Sequence, residues 1–231
     1  MAIKCTLCGS TKSVLFFEKK DSINNCDQLT IFPIHKCHGA CGCFFTVYPP
    51  DWNVHDLYMG DTYHVHRQER TDHLHYENRY EHDMEISRMR INIMLNEYWP
   101  TLKRGQTLDV GCANGAFVET FYSEGFNAYG CDISPYIVER VKKSGNTHMR
   151  ENKGRYFVWN VDDDNGTPSE KFNIITGNDV IEHSIAPKQF MMRLIQLLLP
   201  GGLLILDTPN FSDPQFMEYG IWDILATCQT D

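Results

Sequence analysis

From residue 107 to residue 210 the hydrophobic pattern switches repeatedly between strand and helix spacing, and that alternation constrains the fold more than any other feature. "TLDVG" (107–111) is a short apolar run of strand length, and "AFVETFYSEG" (116–125) has helical spacing closed by Gly125. "NAYGCDI" reads as a second strand. Ser134 takes an N-cap position with Pro135 first in the helix "PYIVERVKKSG". "RYFVWNV" and "FNIITGNDVI" read as third and fourth strands, "APKQFMMRLIQLLLPGG" as a helix with glycine past its end, and "LLILDTPN" as a fifth strand. Upstream, "DMEISRMRINIMLNEYW" (83–99) is an amphipathic helix stopped by Pro100. Strands alternating with helices imply an α/β fold: a Rossmann-like, doubly wound, mostly parallel sheet covered on both faces.

Open sheets of this kind bind ligands beyond the carboxyl ends of their strands, and the first strand-to-helix turn is the usual contact. Here that turn is "LDVGCANGAF" (108–117). Gly111 permits the sharp turn, and Gly115 lets the next helix approach closely. Asp132, 21 residues after Gly111, ends the second strand, where a carboxylate accepts hydrogen bonds from both hydroxyls of a ribose. The spacing is G-C-A-N-G rather than G-x-G-x-x-G, and no P-loop is present. Asp109 lies inside the strand. A carboxylate there repels a pyrophosphate but favours a cationic sulfonium and an α-amino group.

The ordered set "LDVGCANGAF", "YGCDIS", "FNIITGNDVIEH" and "LLLPGGLLILDTPN" resembles successive motifs of class I S-adenosylmethionine-dependent methyltransferases, over about residues 83 to 210. The resemblance implies that Asp109, Gly111, Ala113 and Gly115 line the methionine and ribose side of S-adenosyl-L-methionine. Ala113 stands where many members have a middle glycine. By the same resemblance Asp132 holds the ribose hydroxyls, Ile133 packs on the adenine, and Val161 and Asp162 meet its amino group. Asn178, followed by Asp179, falls on the methionine side. Asp163 and Asp164 read as a solvated loop. Members usually complete the sheet with a final hairpin. The residues after Asn210 offer a helix-like "PQFMEYGIWDILA" but no clear strand pair. The expectation is a domain over 83–231 that is C-terminally incomplete, its sheet edge covered by a homo-oligomer or a partner chain.

"NDVIEHS" places Asp179, Glu182 and His183 at the end of the fourth strand, facing the same crevice. Methyl transfer is an in-line displacement at an already activated carbon, so the protein supplies alignment and sometimes a base. His183 is the natural base candidate, with Glu182 beside it. Against this stands a purely structural role, shaping the pocket or capping the next helix. D-x-x-E-H also resembles the metal-binding E-x-x-E-H of small-RNA 2′-O-methyltransferases, but no histidine follows His183 here.

Six of the nine cysteines fall before residue 44. The N-terminus, "MAIKCTLCGS", lacks the apolar region of a secretory signal, so the sequence reads as cytoplasmic and reducing. In that setting paired cysteines bind metal more often than they form disulfides. "CTLCGS" is a Cys-x2-Cys-Gly knuckle, and Cys37 with Cys41 in "KCHGACGCFF" is the best second pair. His38 and Cys43 compete as ligands. Residues 1–50 therefore read as a zinc ribbon holding structural Zn2+ through Cys5, Cys8, Cys37 and Cys41. The segment resembles the N-terminal module of zinc-containing sugar C-methyltransferases, where it helps build the substrate side.

Residues 51–82 carry six of the ten histidines and read as a linker or lid. Tyr58, Tyr63, Tyr76 and Tyr80 are its candidate aromatics, and His64, His66, His73 and His75 show no firm metal spacing. The formal net charge of -9 argues against a general nucleic-acid binder. No run of about 18 apolar residues occurs to span a membrane. The reading is a methyltransferase acting on a small polar acceptor, a sugar nucleotide on resemblance. The competing readings are an RNA or protein methyltransferase with the ribbon as reader, and a non-catalytic cofactor-binding or partner subunit.

Overall fold

The computed structural model describes residues 2–21, 30–48, 76–98, 104–143 and 155–209. Contacts divide the chain into two units, residues 1–54 with 185–189, and residues 55–184 with 190–231. Of the expected linker or lid over 51–82, residues 51–75, with Tyr58, Tyr63, His64, His66, His73 and His75, lie outside the described residues. So does everything after residue 209, which leaves the fifth strand's outer edge undescribed.

The first unit is an antiparallel sheet of β1 (Ser13–Asp21), β2 (Thr30–Cys37) and β3 (Phe44–Thr46), in that order. Phe32, Ile34 and Phe45 are buried, and Cys5, Cys37 and Phe45 form its small core with Cys41, Cys43 and Val47 against them. Thiols supply much of that interior. Among the described residues of this unit only Phe32, Ile34 and Phe45 are large apolar side chains buried at about 1.5–3 kcal/mol each, so a sheet this small gains from a further constraint.

The second unit opens with α1 (Tyr76–Ile93), whose last part widens into a π-turn at Met94–Tyr98. Met84, Ser87, Ile91, Met94 and Leu95 form its buried stripe. The helix begins at Tyr76 rather than 83, so the end of the expected lid belongs to it. Tyr80, taken above as a lid aromatic, is partly buried against the apolar core.

Five parallel strands follow: β4 (Gln106–Val110), β5 (Asn127–Asp132), β6 (Tyr156–Val158), β7 (Phe172–Asn178) and β8 (Leu198–Asp207). Their order is β6-β5-β4-β7-β8, so the chain reverses direction across the sheet beside β4. Between them run α2 (Ala116–Ser123), α3 (Pro135–Lys143) and α4 (Pro187–Leu197). Side chains of opposite parity go to opposite faces. Ala128 and Ile174 join Ile91, Val118, Phe121, Ile137 and Val141 from α1, α2 and α3. Leu108, Val110, Cys131 and Ile175 join Phe190, Leu194 and Leu197 from α4. Both faces are covered, which gives the Rossmann-like fold expected from the alternation.

Two boundaries differ from the sequence expectation. The "RYFVWNV" strand is only three residues long, Tyr156–Val158. The helix ending at "LLLPGG" stops at Leu197, and β8 already starts at Leu198. Pro200 cannot continue a helix and Gly201 turns with φ 75°. The register accordingly jumps from Phe172↔Leu198 to Ile174↔Leu203, a bulge across "LPGG".

Candidate functional site

The carboxyl ends of β4, β5 and β7 lie side by side, with Val110 paired to Cys131 on one flank and Gly177 on the other. The first turn leaves this point. Gly111 has φ 68°, a dihedral that favours glycine, and a Cβ there would lie in tight contact 3.0 Å from Val180 Cγ2. Ala113 also sits at positive φ, 43°, and Gly115 at 81°. The turn is closed by Gly115 N donating to Cys112 O at 2.7 Å, and by Cys112 N donating to Cys131 O at 2.9 Å.

Asp132 is where β5 meets this turn. Its Oδ2 accepts from Ala113 N at 3.3 Å and its Oδ1 from Ser134 N at 2.9 Å. Burial pushes its pKa up to about 6, against bonds from the amides of Ser134, Ala113 and Ile133. Ser134 caps α3 as expected, its Oγ accepting from Ile137 N at 3.4 Å. Ile133 is half-buried next to the carboxylate. Asp109 is almost wholly buried, and Thr176 Oγ1 donates to its Oδ1 at 2.6 Å. Burial drives its pKa up to about 7; the Thr176 bond opposes this and the charge of Asp132 adds to it. Two carboxyl groups are thus held at the strand ends with their ionisation disfavoured until a positive group arrives.

The third wall is formed after β6. Val161 is buried, and its carbonyl accepts from Arg193 Nη1 at 2.8 Å. Asp162 Oδ1 accepts from Ser184 Oγ at 2.5 Å, which ties this loop to the segment following β7. Asp163 bonds to Asn165 and Asp164 pairs with Arg193 at 2.7 Å.

After β7, Asn178 and Asp179 lead into a single 3-10 turn, Ile181–His183. Asp179 takes φ 50°, and its N donates to Asp207 O at 3.0 Å. Glu182 Oε2 accepts from Thr208 Oγ1 at 3.0 Å; burial raises its pKa, and the charges of Asp179 and Asp207 add to the rise. His183 is half-buried in the same turn. The D-x-x-E-H run does not gather a metal site: among the described residues the one group of His, Cys and carboxylate donors close enough to share an ion is made of cysteines.

Sequence reasoning missed how α1 is attached. Asn114 Nδ2 donates to Asp83 Oδ2 at 2.6 Å, while Asn114 Oδ1 accepts from Ala116 N at 3.2 Å. Arg90 Nη1 donates to Asn178 Oδ1 at 2.9 Å and pairs with Asp207 Oδ2 at 2.7 Å. Asp83 and Arg90, seven residues apart, fall on one helix face two turns apart. That spacing was the available signal, but it does not name the partners.

In the first unit, Cys5, Cys8, Cys37 and Cys41 place their sulfurs within 4.8 Å of one another. The sulfurs are 3.5 Å apart for Cys5–Cys41, 3.6 Å for Cys8–Cys37 and 3.5 Å for Cys8–Cys41. A zinc ion with Zn–S bonds of about 2.3 Å needs an S···S edge of about 3.8 Å, so the cluster has the size of a tetrahedral thiolate site. Burial of the Cys5 thiol opposes ionisation, but the amides of Cys8 and Leu7 and the neighbouring thiols of Cys43 and Cys41 outweigh it and bring its pKa down to about 6. The knuckle therefore favours the thiolate, the form that binds metal. His38, a competing ligand on sequence grounds, is exposed and outside the cluster. Cys43 is close to it.

A family model described as a methyltransferase domain matches residues 63–229, well over half of the chain. The chain belongs to this methyltransferase family. Curated relatives include the mitochondrial ubiquinone biosynthesis O-methyltransferase of Schizosaccharomyces pombe, 28% identical over 101 residues, which are 44% of this chain and 36% of that protein. The ubiquinone biosynthesis O-methyltransferase of Rickettsia typhi is 24% identical over 140 residues, 59% of this chain and 54% of that protein. The chain therefore spans about half or less of the curated relatives' length. Among solved structures, a S-adenosylmethionine-dependent methyltransferase from Clostridium acetobutylicum is 18% identical, covering 63% of this chain and 55% of that one with a TM-score of 0.44. That likeness is too slight to carry an argument. No helix among the described residues is long and apolar enough to cross a membrane.

Proposed function

We propose that this methyltransferase-family chain binds S-adenosyl-L-methionine and transfers its methyl group to a small polar acceptor. The observation that carries the reading is the carboxyl pair: Asp132 bonded to the first-turn amide of Ala113, and buried Asp109 behind the same turn. A pyrophosphate would meet repulsion from Asp109, whereas a sulfonium and an α-amino group supply the positive charge that this carboxyl lacks; Asp132 suits the ribose.

In this reading Asp132 receives the ribose hydroxyls, and Gly111, Ala113 and Gly115 give the cofactor close access to backbone. Asp109, Asn178 and Asp179 serve the methionine side. Ile133, Val161 and Asp162 serve the adenine side. The cofactor, when bound, supplies the activated methyl group. What remains for the protein is to orient the acceptor and, where it carries a proton, to remove it. Glu182, its pKa raised, and His183 in the same turn are the groups proposed for that step. Structural Zn2+ on Cys5, Cys8, Cys37 and Cys41 would hold the ribbon together.

The relatives' name, an O-methyltransferase of ubiquinone biosynthesis, supports a small-molecule acceptor. The cysteine ribbon, absent from the matched stretch, supports the sugar-nucleotide class within it through the resemblance noted above. Transfer of label from methyl-labelled cofactor into fractionated small-molecule pools tests the proposal. Label appearing in a sugar-nucleotide fraction supports it; label confined to RNA or protein, or none in any fraction, contradicts it.

A further inference from the structure

Beside the four-thiol cluster of Cys5, Cys8, Cys37 and Cys41 lies a fifth sulfur, that of Cys43, outside the group whose sulfurs all lie within 4.8 Å of one another. Cys43 Sγ lies 3.4 Å from Cys5 Sγ and 3.3 Å from Cys41 Sγ. It therefore sits over the Cys5–Cys41 edge, at a separation no longer than those among the four corner sulfurs. Three of the corners are set by surrounding backbone. Cys5 and Cys8 share the knuckle, closed by Gly9 N to Cys5 O at 2.8 Å and Cys5 N to Ser10 O at 2.9 Å. Cys37 ends β2, and its Sγ accepts from Gly39 N at 3.2 Å. The fourth corner lies on the loop joining β2 to β3, where Cys41 and Cys43 flank Gly42. That glycine has φ 66°, and a Cβ built on it would meet nothing within 4 Å. The turn is thus unobstructed at Gly42 itself, while the Cys43 carbonyl accepts from Cys37 N at 2.8 Å and keeps that thiol beside the cluster.

We propose that Cys41 and Cys43 are interchangeable fourth ligands, so that a metal held by Cys5, Cys8 and Cys37 is closed by either thiolate. The inference rests on the zinc-ribbon reading. A thiolate already in contact with two corner sulfurs replaces a departing neighbour by a small rotation about Gly42. No new chain segment has to be recruited. Two thiolates bound at once on this edge would crowd like charge, which is why one is held in reserve.

The test is zinc content of the full chain by elemental analysis after dialysis, for wild type, Cys41→Ala, Cys43→Ala, the double variant and Cys8→Ala. Alanine is used because a serine hydroxyl could itself bind. Wild type and both single loop variants should keep their zinc, while the double variant and Cys8→Ala lose it. Cobalt substitution adds a second readout: the sulfur-to-cobalt charge-transfer absorption of Cys41→Ala should match wild type in intensity, showing four thiolates. Zinc-free wild type overturns the ribbon itself. Zinc-loaded wild type with a zinc-free or unfolded Cys41→Ala or Cys43→Ala overturns the exchange, and so does a Cys8→Ala variant or a double variant that keeps its zinc.

Discussion

At the scale of single residues, the site depends on carboxyl groups whose burial opposes their own charge. Asp109 is the sharper case, its pKa raised from the ordinary 3.8 to about 7. A carboxyl raised in this way is stabilised in its protonated form. Its contribution to the fold is fully present below the unfolded pKa and is lost as pH rises through about 7. Asp109→Asn mimics the protonated form and keeps an oxygen for Thr176 Oγ1. The melting temperature of the cofactor-free Asn variant should therefore exceed that of wild type by a margin that widens between pH 5 and pH 8. A constant margin would mean that Asp109 does not titrate in that window. The residues at issue were legible because strand-end acids follow a fixed spacing from the turn. Their mutual arrangement was not: the Thr176–Asp109 bond joins positions 67 residues apart, brought together only by β4–β7 pairing.

Among the elements, the strands and helices followed from hydrophobic period, and the departures have local causes. Pro200 and Gly201 cut the last helix short and begin β8 early, because proline lacks the donor that a helix turn requires. The start of α1 was hidden in a histidine- and tyrosine-rich stretch with weak periodicity. The first turn is the element most sensitive to substitution. Gly111→Ala meets a left-handed dihedral costing about 1–2 kcal/mol, plus the contact with Val180, and should lower Tm by about 3–8 °C in a thermal melt. An unchanged Tm would show that the turn relaxes freely. Helix α1 gives the opposite pattern. Arg90 is half-exposed, so Arg90→Ala should move Tm by no more than about 2 °C. It should nevertheless raise KM for the cofactor in a turnover assay, because Asn178 loses the donor that orients it. Unaltered KM would reduce the Arg90 pair to a surface contact.

For the molecule as a whole, a methyltransferase-family α/β unit and a small thiol-centred unit carry separate burdens of stability. The α/β unit buries two continuous apolar clusters, one on each sheet face. Among the described residues, the smaller unit buries little beyond its cysteines, Phe32, Ile34, His35 and Phe45. The parallel sheet was legible from its hydrophobic period and the cysteine cluster from its spacing, because each signal is local. The acceptor was not, since acceptor contacts reside in loops whose residue types follow no period. In the proposed reading Asp109 favours an adenosyl sulfonium over a pyrophosphate cofactor and Asp132 takes its ribose. That reading is tested most directly by calorimetric titration of S-adenosyl-L-methionine and NAD into wild type and Asp132→Ala at one pH and salt concentration. Hydrogen bonds to a charged group contribute about 1.5–3 kcal/mol each, so Asp132→Ala should weaken S-adenosyl-L-methionine binding by at least about tenfold, with no heat from NAD. Binding of NAD by the wild type, or S-adenosyl-L-methionine affinity unchanged in Asp132→Ala, would contradict the account.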